Sequence, residues 1–227
     1  MSVLKEGYPY IFPALAAALA FVITAVFIDF QPVFLACAVL GSVSTIFALF
    51  CVFFFRDPKI TVTQGEGIIL SPCNGTVMEA AEEGDEKIVR VFLSVFSVHL
   101  QRSPVSGTVV ETAHKDGKFL AAWDARAQAE NEQNIIAIQG EDGAYKVRQI
   151  AGFVARRCVS WVKPGDVLKA GDKIGMIKFG SQVDLHLPKT SVIRVKSGEK
   201  TKAGVTIMAQ KNAGLVRAVP EQVNERG

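Results

Sequence analysis

Two uncharged apolar runs, residues 10–28 and 33–55, constrain this chain more than any other feature. Each is close to or above the ~20 residues that a helix needs to cross a bilayer core. Asp29-Phe30-Gln31-Pro32 separates them, and Pro32 suits the first turn of a second helix, where its missing N–H has no intrahelical partner to lose. The runs therefore predict a helical hairpin with a very short turn. Lys5 precedes it, Arg56 and Lys59 follow it, and the turn carries only Asp29, so the cation bias puts both ends in the cytoplasm. A cleaved signal peptide fits poorly, because there are two spans and no small-residue cleavage site after a basic n-region. The competing reading is a helical pair buried in a soluble core.

The remaining chain is long enough for one domain with a sizeable core. Its texture is β. Residues 67–70, 75–79, 87–93, 106–112, 134–139, 145–150 and 157–162 are short apolar or alternating runs punctuated by Gly, Pro, Asn and Asp. Residues 120–132 have helix-favouring composition with loose apolar spacing, which predicts a loop with a short helix. The expected class is thus α+β: residues 1–57 as a membrane hairpin and 58–227 as a mainly β domain. The net charge of +3 suits an anionic lipid surface. There is no basic stripe with interleaved aromatics, so nucleic acid is not an expected partner. Cys37, Cys51, Cys73 and Cys158 lack metal-finger spacing and read as ordinary reduced thiols; no metal site is expected.

One pattern, V-K-x-G-D/E-x-x-K-A-G, occurs at residues 162–171 and again at 195–204. Two copies suggest paired hairpins whose glycines supply turn conformations. Such hairpins resemble those of biotinyl- and lipoyl-carrier domains, and Met176-Ile177-Lys178 partly echoes the modified-lysine context of those domains.

The second repeat follows Phe179-Gly180-Ser181-Gln182-Val183-Asp184, with Leu187-Pro188 soon after. A serine hydroxyl can attack the preceding carbonyl and convert the amide to an ester. Glycine as that preceding residue lets the backbone bend and be approached closely. Upstream lie Phe54-Phe55-Arg56-Asp57-Pro58, Ser71-Pro72-Cys73-Asn74-Gly75, His99-Leu100-Gln101-Arg102-Ser103-Pro104, Asn131-Glu132-Gln133-Asn134 and Ile150-Ala151-Gly152. Taken in order, these closely resemble the phosphatidylserine decarboxylase family, in its short, membrane-hairpin form.

The resemblance implies a carboxy-lyase that cuts itself between Gly180 and Ser181 and converts Ser181 into a pyruvoyl group. No ordinary side chain offers an electrophilic carbonyl that takes up an amine; a self-made ketone does, and serves as an electron sink. The implied reaction turns phosphatidylserine into phosphatidylethanolamine and carbon dioxide. The implied partners are phosphatidylserine in the cell membrane and the chain's own two fragments, and a homo-oligomer is compatible with the sequence.

Within this frame His99 is the expected proton carrier. Asn74 occupies a position where the family usually has an acid that assists a histidine. An amide can orient but cannot act as a carboxylate base. Arg102 stands where longer relatives have a second histidine; it cannot serve as a base at neutral pH and is expected to hold a substrate phosphate or carboxylate. Asp184 is a substitute acid only if a bulge offsets its odd spacing from Ser181. His186, at another odd offset, is expected to be structural. Two readings compete with the enzyme: a tethered biotinyl/lipoyl-like adaptor, and a lipid-binding homologue inactivated by Asn74.

Overall fold

The computed structural model describes residues 1–118, 126, 130–152, 157–178 and 181–211. It divides into two compact units: residues 1–59 with 95–99, and residues 60–94 with those from 100 onward.

In the first unit, α1 (Tyr8–Phe27) and α2 (Gln31–Phe54) form an antiparallel pair, and both begin with proline in the first turn. Small residues let the helices approach: Gly41 lies against Phe21 and Ala18, and a Cβ there would be 3.3 Å from that of Phe21. Large side chains point outward, among them Phe12, Leu19, Val26, Leu35 and Ile46. Only 11% and 17% of the most apolar windows of the two helices are buried, unlike helices in the core of a soluble protein. Both are long and apolar enough to cross a membrane. The ends are tied by β1 (Ser2–Val3) paired with β2 (Arg56–Asp57).

The second unit runs through β3 (Ile68–Leu70), β4 (Gly75–Glu83), β5 (Glu86–Leu93), β6 (Leu100–Arg102), β7 (Gly107–Lys115), β8 (Gln133–Gly140) and β9 (Gly143–Ala151). It continues through β10 (Cys158–Ser160), β11 (Val167–Leu168), β12 (Lys173–Ile177), β13 (Ser181–Pro188), β14 (Val192–Ile193), β15 (Lys200–Thr201) and β16 (Ile207–Gln210). The order β11-β7-β8-β9-β13-β5-β4-β15 makes the large antiparallel sheet; β10-β12-β6 and β14-β16-β3 make two small ones. The chain is α+β, as the apolar runs and alternating segments predict. The short helix expected at 120–132 falls largely on residues outside the described set.

Alternation decides what the large sheet buries. Val89, Val91 and Leu93 of β5, Val183, Leu185 and Leu187 of β13, Tyr145 and Val147 of β9, and Ile136 and Ile138 of β8 join one core.

The unit is also internally duplicated, more extensively than the 162–171 and 195–204 repeat reveals. Residues 71–79 and 103–111 share S-P-x-x-G-T-V-x-E. Each copy docks one repeat hairpin in the same way: Gly198 N–H donates to Val77 O and Gly165 N–H to Val109 O, both at 2.8 Å. The glycines at matching repeat positions share positive φ, 94° and 88° at Gly165 and Gly198, 89° and 70° at Gly171 and Gly204. L side chains rarely adopt that conformation, which is why the repeat keeps glycine. The register extends the duplication across the sheet, relating β4 to β7, β5 to β8, β13 to β9 and β15 to β11. The pair Leu185–Val147 lies at its centre.

Candidate functional site

Residue 181 begins β13, an interior strand paired on both sides. It stands opposite Leu93 of β5 and Ala151 of β9, and both registers continue without a shift. The strand that precedes it, β12, ends at Ile177; Phe179 and Gly180 lie outside the described residues. Ala151 directs its own backbone to the other side. Its N–H donates to Glu132 O at 2.9 Å, and its C=O accepts from Asn131 Nδ2 at 2.7 Å. Glu132 Oε1 in turn accepts the Cys158 N–H at 3.0 Å. The Asn131-Glu132-Gln133-Asn134 motif is therefore a buried frame beside the start of β13.

The unbroken register decides the position of Asp184. Val183, Leu185 and Leu187 enter the core, so Gln182, Asp184 and His186 belong to the opposite face. The bulge that would bring Asp184 onto the face of residue 181 is not present. Asp184 instead lies in a charged row, with Arg90 across one strand boundary, Arg148 across the other, and Glu79 beyond Arg90. Gln182 Nε2 donates to Asp184 Oδ1 at 2.6 Å, while Arg148 Nη1 stops 3.8 Å from Oδ2. Oδ2 is buried and has no hydrogen-bond partner among the described residues. Burial pushes this carboxyl above its ordinary range, against the pull of the Gln182 bond and the two guanidinium groups. His186 is bonded through Nδ1 to Glu86 Oε2 at 2.8 Å, in keeping with a structural role.

Asn74 sits in the S-P-x-x-G copy that precedes β4. Its Oδ1 accepts the Ala203 N–H at 3.1 Å. Ser106, at the matching position of the other copy, accepts the Ala170 N–H at 3.0 Å. The side chain thus anchors a hairpin. Arg102 ends β6, is nearly buried, and donates from Nη1 to Gly171 O at 2.8 Å.

His99 belongs to the helical unit, whereas residue 181, Asn74, Arg102 and Asp184 belong to the β unit. It is 1% exposed, and its ring lies 4.3 Å from that of Phe54 at the end of α2. Its Nδ1 is 3.0 Å from Ser97 O. A carbonyl only accepts, so Nδ1 carries the proton and Nε2 is the basic nitrogen of the neutral ring. Burial is the main cause that pushes the His99 pKa down to about 4, aided by Arg56 and opposed by the Ser97 carbonyl. In the chain, His99 is followed directly by β6, which pairs with β12, the strand leading to Gly180. Cys73 and Cys158 are driven upward by burial, so they stay protonated and are poor nucleophiles.

The sequence reading assigned no role to Gln101 and Gln149. Asn134 Nδ2 donates to Gln149 Oε1 at 2.8 Å, and Gln149 Nε2 donates to Gln101 Oε1 at 2.7 Å. The signal was the alternation of β9, where Tyr145 and Val147 are core residues and the next residue of that parity is a glutamine.

Comparison with known proteins adds an independent line. The family model described as phosphatidylserine decarboxylase matches residues 47–209. A protein of Carboxydothermus hydrogenoformans named phosphatidylserine decarboxylase proenzyme is 42% identical over 179 residues, covering 75% of this chain and 84% of its own. A protein of the same name from Geotalea uraniireducens is 41% identical over 210 residues, 89% of this chain and 93% of that one. Another from Azorhizobium caulinodans is 34% identical over 230 residues, 97% and 94% of the two chains.

Proposed function

Because the chain belongs to the phosphatidylserine decarboxylase family, we propose that it is a membrane-anchored carboxy-lyase that forms phosphatidylethanolamine and carbon dioxide from phosphatidylserine. The observation that carries this reading is the family match itself, which runs through the Gly180-Ser181 pair and extends almost from end to end in the relatives. Those relatives are named as proenzymes, which supports processing of the chain and speaks against the carrier-adaptor alternative.

The proposed processing is self-contained. The Ser181 hydroxyl adds to the Gly180 carbonyl and the C–N bond breaks, so the amide becomes an ester and the amine gains a proton. β-Elimination leaves a carboxylate on Gly180 and dehydroalanine at 181, which water hydrolyses to a pyruvoyl group with loss of ammonia. Two-sided strand pairing supports this position as a host for the group: β13 remains held by β5 and β9 when the link to residue 180 is gone. Once made, the group supplies an electrophilic carbonyl and an electron sink for the substrate amine.

The other roles are assigned to this chain's own residues. His99, neutral and basic at Nε2, is assigned the taking and returning of protons. Asn74 orients the hairpin that ends at Gly204 and acts in processing only through hydrogen bonding. Arg102 is assigned to hold a substrate phosphate or carboxylate. Residues 1–57 are the anchor and 58–227 the catalytic domain. Lys5, Arg56 and Lys59 favour a cytoplasmic domain on the cell membrane. The anchor keeps the enzyme where the substrate's acyl chains reside.

The test is expression of the full chain, a denaturing gel, and release of carbon dioxide from carboxyl-labelled phosphatidylserine vesicles. Two fragments split after Gly180, together with labelled carbon dioxide, are expected. Decarboxylation by a chain that keeps Ser181 intact would overturn the pyruvoyl chemistry, and absence of decarboxylation would overturn the enzyme.

A further inference from the structure

The duplication of the β unit isolates a feature that stability alone does not require. The register relates Gln149 of β9 to Leu187 of β13, since Gln149 pairs with Asn134 and Leu187 with Lys87, its equivalent. Gln101 of β6 corresponds to Ile69 of β3, each lying two residues before the serine of an S-P-x-x-G copy. Gly175 of β12 corresponds to Ala209 of β16, these being their respective cross-strand partners. One half thus packs Leu187, Ile69 and Ala209 as apolar core, all 1% exposed or less. The other half buries two glutamines there, each fully enclosed. At Gly175 a Cβ would collide first with the Val159 carbonyl oxygen and would also lie 2.9 Å from Gln149 Nε2.

An apolar solution at these positions therefore exists within the same molecule. Buried amides are stable only when each is satisfied, and replacing a satisfied polar pair by well-packed apolar groups is often neutral. Their retention on one side points to a role in chemistry.

Register gives that role a location. Gln149 stands opposite Val183, and Ala151, the next residue of the same parity, stands opposite residue 181. The Asn134–Gln149–Gln101 chain thus occupies the cross-strand row next to that of residue 181. Through Gln101 it reaches β6, which pairs with β12, the strand before Gly180; through Gln149 it lies on β9, which pairs with β13, the strand after it.

We propose that Gln149 is a positioning residue for self-cleavage. Its amide, fixed by Asn134 and Gln101, sets the offset between the strand entering and the strand leaving the Gly180-Ser181 bond, and so holds that bond in reach of the Ser181 hydroxyl. The proposal rests on the reading of Gly180-Ser181 as the processing site. Effective attack needs reacting atoms roughly 3–3.5 Å apart, so a small slip in this offset slows the step steeply.

The test compares full-length chains in detergent micelles. Gln101→Ile/Gln149→Leu copies the apolar half of the molecule. It is expected to fold, with a melting temperature lowered because Asn134 Nδ2 loses its Gln149 acceptor, while self-cleavage, followed on a denaturing gel, slows at least tenfold. A folded double variant that cleaves at the wild-type rate overturns the proposal. Gln149→Glu is the second variant: it keeps the shape, but only the protonated carboxyl can donate to Gln101. Its cleavage rate should rise as pH falls from 8 to 6, a dependence beyond that of wild type; a profile matching wild type in rate and shape overturns the proposal. A wild-type chain that never cleaves removes the underlying reading instead, so the two failures are distinguishable.

Discussion

Asn74 accepts the backbone N–H of Ala203 at 3.1 Å, so the side chain at this position is first of all a fastener for the hairpin that ends at Gly204. An aspartate would accept the same N–H with a charge-assisted bond. Asn74→Asp should therefore fold as well as wild type and, if a carboxylate here assists processing, shorten the cleavage half-time. Asn74→Ala loses the bond and should cost about 1 kcal/mol of stability. Time courses of processing on a denaturing gel, with melting curves alongside, check both outcomes.

Ser181→Ala removes the only proposed nucleophile and leaves β13 in place between β5 and β9. The chain should fold, stay at 24.5 kDa, and release no carbon dioxide from phosphatidylserine. Intact mass and labelled-product assays read this directly. Fragments from this variant would place the cleaved bond elsewhere.

His99 carries a pH signature. Burial lowers its pKa from 6.5 to about 4, so the folded protein binds this proton less readily than the unfolded chain does. Its contribution is fully present above about pH 6.5 and is lost as pH falls toward 4. The difference corresponds to about 3 kcal/mol over that window. His99→Gln should flatten this part of the stability curve and depress processing and decarboxylation by at least tenfold at pH 7. Melting temperature measured against pH, with activity at pH 7, checks the two effects separately.

Asp184 has the opposite sign. Burial raises its pKa, so the fold prefers the neutral acid, and the stability tied to that preference falls as pH rises from about 4 through the folded value. Asp184→Asn removes the titration while keeping an acceptor for Gln182. Relative to wild type, the variant should gain melting temperature on going from pH 4 to pH 7. A constant difference across that range would show that the burial of Oδ2 does not govern the group. Because Asp184 lies on the face away from the core, processing of this variant should stay within a few-fold of wild type.

Much of this was legible in the chain because the signals are local. Two long uncharged runs admit little besides apolar helices, and alternation in 87–93 and 145–150 reports which side of each strand is buried without saying which strand lies beside it. Both Gly165 and Gly198 announced turns, and both adopt positive φ. The odd spacing of Asp184 and His186 from Ser181 was equally readable, and the unbroken register of β13 left both on the opposite face.

The sequence by itself determined the apolar hairpin, the β character of the remainder, and the Gly-Ser pair on which the proposed chemistry depends. Only the tertiary structure decided that Asn74 fastens a hairpin, that the two hairpin copies each dock an S-P-x-x-G copy, and that Gln149 replaces what is Leu187 in the other half. The physical reason is range. Periodicity and turn chemistry act over a few residues, whereas Asn74 and Ala203, or Gln101 and Gln149, meet only after distant strands have chosen their neighbours and registers.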